Sequence, residues 1–265
     1  MVPGTLPARV KTRVKTGVKT GPRERGDRPQ GGLSRPVRRG VVVRQAARWG
    51  LGAVGAGVVV IAGLDLVSLG EINPLRRTIS EHGLGAQGWI FGFAVASLAG
   101  GSAAIGVALA RVRLAGIFGT FALMAWSAGL LVTAWFPKHD WSVGPSLSGS
   151  IHRAGSLVAF LGLPLAALVI ARPWRHTEGR GHARFAFGFG LLSVLWVLGI
   201  GATVLVGTRA GLSWWQVMPL GLVERGLAAT EVAAVVALGV WGARHRPAPA
   251  GGGAGEANNL TAPHV

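Results

Sequence analysis

The residues of this chain that could do chemistry gather in three short stretches. Asp65, Glu71 and the run Ser80-Glu81-His82 belong to one. Lys138-His139-Asp140 and His152 form a second, and Glu224-Arg225 a third. Histidine beside a carboxylate can be held in one tautomer and can move a proton near neutral pH. Two histidines with carboxylates could also bind zinc and activate water, with Ser156, one turn beyond His152, as a nucleophile. The spacing matches no compact metal motif such as HExxH, so no metal is assigned and no particular cofactor is indicated. A hydrogen-bonded loop accounts for the same residues with less coincidence. Glu231 follows Glu224 by seven residues and shares its helix face, in the middle of an apolar run. An ionisable group at such depth faces a cavity or a partner.

The elements that must position these groups are six apolar stretches, at about 49–69, 89–110, 114–136, 151–171, 185–206 and 220–241. Each is close to the roughly 20 residues that a helix needs to cross a bilayer. Half of the residues are hydrophobic and 14% are charged, too apolar for a soluble domain of this length. The fold class is therefore all-α, a polytopic bundle of six helices. Cysteine is absent, which removes disulfides and thiol chemistry. Tyrosine is absent too, and ten tryptophans carry the interfacial role, Trp49, Trp174 and Trp241 at one end and Trp89, Trp135, Trp141, Trp214 and Trp215 at the other. Trp126 and Trp196, in mid-span, read as core fillers. Gly50-Leu51-Gly52-Ala53-Val54-Gly55 satisfies GxGxxG literally, but it opens a membrane helix with no strand before it. The abundant glycine suits close helix packing instead.

The net charge of +17 describes a tail more than a fold, since 13 of the 27 Lys and Arg precede Trp49. Nucleic acid is not expected as a partner; membrane lipids are. Residues 1–40 repeat Val-Lys-Thr and lack apolar periodicity, which predicts a disordered basic tail suited to anionic lipid headgroups. Residues 41–244 form the membrane domain, and 245–265 a second disordered tail. Basic residues flank the amino terminus, the second-to-third loop (Arg111, Arg113), the fourth-to-fifth loop (Arg172, Arg175, Arg180, Arg184) and the carboxyl end (Arg244, Arg246). The remaining loops are nearly charge-balanced. This bias predicts both termini in the cytoplasm, in the plasma membrane of a bacterium. In the first outer loop, Asn73 as N-cap and Pro74 behind it predict a short helix to His82, ending at Gly83.

Three strings, INPLRRTISEHGLGAQGWIF, AWFPKHDWSVGPSLSGSIHRAGSLVAF and GLVERG, resemble the bacterial and archaeal domain-of-unknown-function 998 family. The resemblance runs from about Leu51 to Trp241. It implies a six-helix membrane fold and no activity. Ser80 and Gly83, Phe136-Pro137 with Asp140 and His152, and Glu224-Arg225 match its characteristic positions.

The reading is an integral membrane protein with an outward-facing polar pocket of Asp65, Ser80, Glu81, Asp140, His152, Glu224, Arg225 and Glu231. Its role would be binding, sensing or accessory. A membrane-embedded hydrolase or lipid-modifying enzyme using His152 and a carboxylate is the alternative, and a small-molecule transporter another. Arg225 is expected to pair with Asp65 or Glu81, and His152, Asp140 and Glu224 are expected to act as one unit.

Overall fold

Apolar runs of this length leave their backbone only one way to satisfy its hydrogen bonds without water, and they take it. A computed structural model describes residue 1, residues 35–211 and residues 218–245, with the backbone alone at 35–39. Six helices are long and apolar enough to cross a membrane. They are α1 (Arg35–Val67), α2 (Gly88–Arg111), α3 (Gly116–Trp135), α4 (Leu147–Ile170), α5 (Arg180–Arg209) and α6 (Leu220–Arg244). Two short 3-10 helices, Ile79–Gly83 and Pro173–Arg175, sit in connections. Among the described residues there is no strand, only an isolated bridge between Asp140 and Gly144. The all-α, six-helix architecture is as the sequence predicts.

The helices form a ring in chain order that α6 closes onto α1, and α6 also reaches α2 and α4. It is therefore the axial helix, which is why its polar residues matter. Backbones approach closely where glycine permits. A Cβ on Gly50 would stand 2.6 Å from the Gly101 carbonyl oxygen, and one on Gly129 would stand 2.6 Å from that of Gly155. Leu123, Leu163, Ile105, Leu109 and Leu238 fill the interior. Outside, Ile117, Phe118 and Phe121 of α3 and Leu195 and Leu198 of α5 are exposed. Such faces are wrong for water and right for hydrocarbon. This is a multi-pass membrane protein.

Three expectations change. First, α1 begins at Arg35, within the stretch read as a basic tail. The rest of that tail, apart from Met1, and nearly all of the carboxyl one lie outside the described residues, as do Trp214 and Trp215. Second, no α-helix runs from Pro74 to His82. The Asn73 side chain accepts from the Leu75 N–H at 2.9 Å, closing a turn. The carbonyls of Pro74, Leu75 and Arg77 then accept from α6 rather than from their own segment, so the segment resumes only as a 3-10 helix at Ile79. Third, Trp241 lies in the last turn of α6 as expected but faces inward. It is 2% exposed and packs edge-on against His176, while Trp49, Trp89, Trp135, Trp141 and Trp174 are exposed as expected.

Candidate functional site

Where α1 ends and α2, α4 and α6 begin, charges too costly to leave bare in a membrane find one another. Arg225, on the first turns of α6, grips Asp65 of α1 with two parallel bonds, Nε to Oδ2 at 2.9 Å and Nη2 to Oδ1 at 2.5 Å. Its Nη1 donates to the carbonyls of Pro74 at 2.9 Å and Arg77 at 2.7 Å. His82, buried, meets Asp65 Oδ1 through Nε2 at 2.8 Å. Asp65 is one of the two partners expected for Arg225. The close approach requires Gly221, where a Cβ would lie 2.3 Å from both the Pro74 and Arg77 carbonyl oxygens.

The neighbouring Glu224 points the other way and accepts the Ile79 N–H at 2.5 Å, capping the 3-10 helix. Lys138 bridges the α1–α2 and α3–α4 connections, donating to Thr78 Oγ1 at 2.9 Å and to the Glu81 carboxylate, which Arg77 also contacts at 3.0 Å. Ser80 Oγ lies 3.1 Å from Thr78 Oγ1. The two connections and the start of α6 are thus stitched together by ion pairs and backbone bonds.

Under this stitching lies a cavity of about 80 Å³ between α2, α3, α4 and α6. Ser80, Thr133, His152, Ser156, Glu224 and Glu231 give it polar atoms, and Phe91, Trp126 and Phe160 give it aromatic walls. Glu224, Ala228, Glu231 and Val232 form one stripe of α6, at the spacing of a single helix face. Glu231 lies eleven residues into α6, roughly 16 Å along it. It is 0% exposed, and neither carboxyl oxygen has a hydrogen-bond partner among the described residues. Trp126 Nε1 is a second buried polar atom left unpaired. A larger hollow of about 310 Å³ adjoins this cavity, sharing Ser80, Phe91, Thr133 and His152 and adding Trp89, Trp135, Pro137 and Lys138.

His152 does not meet Asp140. Its Nδ1 donates to the Phe136 carbonyl at 2.7 Å, which leaves the Nε2 lone pair free in the neutral ring. Asp140 is exposed and curls back on Ser142, accepting from its N–H at 3.0 Å and its Oγ at 2.6 Å. Those bonds hold the Asp140 carboxyl below its ordinary pKa. His139 faces yet another way, accepting the Ser146 N–H at Nδ1, 2.9 Å. Of the expected unit of His152, Asp140 and Glu224, His152 and Glu224 line one cavity, whereas a three-residue turn satisfies Asp140 locally. Among the described residues, no cluster of three or more His, Cys, Asp or Glu could hold a metal.

Of the expected pocket residues, Ser80, His152, Glu224 and Glu231 line the cavity, while Asp65, Glu81 and Arg225 hold the elements around it. Lys138 and Trp126 were not among them. Lys138 carried a signal, as the other three lysines (11, 15 and 19) lie in the amino-terminal tail. Trp126 carried none, since a mid-span tryptophan reads as packing.

The profile of a family of proteins of unknown function, DUF998, matches residues 53–241, which include every one of these groups. The chain belongs to that family. No curated protein and no solved structure matches the chain. DUF998 membership thus agrees with the resemblance of the three loop strings and adds no activity.

Proposed function

We propose that this is a plasma-membrane binding or sensing protein that takes a small ligand into the cavity beneath its outer connections. The observation that carries the reading is Glu231, a carboxyl at mid-helix, facing a cavity and paired with nothing among the described residues. A buried polar group without a partner is costly, so it is kept for a reason. A ligand that supplies the missing partner gives one. The adjoining hollow, which shares Ser80, Phe91, Thr133 and His152 with the cavity, is the proposed way in.

Binding is preferred to transport because the described part of α6 beyond Glu231 is apolar. Ala234, Val235 and Leu238 are buried there, and Gly239 abuts Leu51 and Ile105. A carrier needs polar stations through the bilayer. Binding is preferred to hydrolysis because His152 is held by a backbone carbonyl, with no carboxylate orienting it as a general base.

Ala228 lines the cavity and Ala228→Phe would fill it. The purified protein is heated with a library of small polar and amphiphilic compounds. At 100 times its Kd, a ligand stabilises the folded state by about 2.7 kcal/mol. Hits should stabilise the natural protein and not the filled variant. Equal shifts in both, or no shift with any compound, would remove the reading.

A further inference from the structure

Most polar groups around the cavity can accept; Ser80 Oγ shares a hydrogen bond with Thr78 Oγ1 in which either hydroxyl can donate. Thr133 Oγ1 donates to the Leu130 carbonyl and Ser156 Oγ to that of His152, so both turn lone pairs outward. His152 uses its Nδ1 proton on Phe136, leaving Nε2 as an acceptor. Glu224 and Glu231 are carboxyls, and among the described residues only one oxygen of the two groups, Glu224 Oε2, holds a hydrogen bond from the protein. Pro164 of α4 supplies no N–H, so the Phe160 carbonyl, at the cavity's level, lacks its usual helical donor. Trp126 Nε1 can only donate. Among the described residues, no Lys or Arg lines the cavity. Lys138, in the adjoining hollow, is already paired with Glu81.

An acceptor-rich, acidic and aromatic lining complements a donor-rich cation with an apolar body. We propose that the cavity takes a small organic ammonium ion, its charged nitrogen between Glu224 and Glu231 and its carbon skeleton against Phe91, Trp126 and Phe160. This deepens the binding reading and rests on it. The ammonium protons meet carboxyl oxygens and the lone pairs of Thr133, Ser156 and His152. The aromatic faces attract the positive charge as well as the hydrocarbon. Burying a cation is costly alone, and burying an unpaired carboxyl is costly alone; together each offsets the other's cost. An anion finds no positive side chain here, and a neutral alcohol leaves Glu231 without a counter-charge.

The full-length protein in nanodiscs is titrated calorimetrically with isopentylamine, isopentanol and isovalerate, three probes of nearly one shape and different charge. The amine should bind at least tenfold more tightly than either of the others. Glu231→Gln keeps the side chain's shape and should weaken the amine at least tenfold, with little change for the alcohol. Glu224→Gln is the second variant, should Glu231→Gln not fold, and it should act in the same direction. If the alcohol or the acid binds as well as the amine, the ammonium assignment is overturned while the cavity remains a ligand site. If none of the three binds and no compound in the wider library distinguishes the natural protein from Ala228→Phe, the binding reading falls with it.

Discussion

Arg225 explains more of the site's shape than any other residue. Its guanidinium ties α1 to α6 through Asp65 and draws in the carbonyls of Pro74 and Arg77. Removing it as Arg225→Met would leave Asp65 with His82 alone and orphan those carbonyls, and should cost about 3 kcal/mol in a denaturation measurement. Gly221→Ala places a methyl on the same two carbonyls and should cost roughly 2 kcal/mol. Asp140 should behave differently, being exposed and bonded only to Ser142. Asp140→Asn and His152→Ala should add within about 0.5 kcal/mol in a double-mutant cycle, as independent sites do. Coupling well above that would restore Asp140 to the site. The Asp140 pKa is depressed, so the bonds to Ser142 favour folding above the unfolded-state pKa and lose that effect as pH falls through the folded value. At this scale the sequence was legible wherever a membrane made charge expensive. Arg225 had to find a carboxylate and Glu231 had to face something other than lipid. Asp140 misled because an exposed carboxylate can be satisfied by its neighbour two residues on.

The six helices were legible as elements because hydrophobic length is set by the bilayer and not by any partner. Their ends were less so. The α1–α2 connection has a sound N-cap signal at Asn73, yet α6 takes the carbonyls that an α-helix would have used. A competing acceptor contact across 148 residues of chain leaves no local trace. Helix packing follows small residues, but not all of them. In the literal GxGxxG run, Gly50 meets the α2 backbone, whereas Gly52 and Gly55 have open space around them. Gly50→Ala should therefore destabilise the bundle by about 1–3 kcal/mol in a thermal or denaturant assay, and Gly55→Ala should not. Equal effects would show that the α1–α2 seam lies elsewhere.

Across the whole molecule, even span number puts α1's start and α6's end at the same end of the bundle, where Ala47 and Gly242 approach each other. The basic flanks put that end in the cytoplasm, as we propose, and the cavity then opens outward. Reporter fusions after Arg113 and Arg180 should report cytoplasm, and those after Gly85 and Ser142 the exterior. A reversed pair would turn the cavity inward. The most direct measurement uses the absence of cysteine, which gives a silent background for thiol labelling. Ala228→Cys and Val232→Cys, on the cavity stripe of α6, are exposed in intact cells to a small membrane-impermeant thiol reagent, with Gly55→Cys as the control in an open part of the α1 surface. The account predicts that the two cavity positions react from outside, the control does not, and isopentylamine slows the reaction. Cavity cysteines that stay unlabelled in intact cells, while Ser142→Cys in the outer connection reacts, would contradict it.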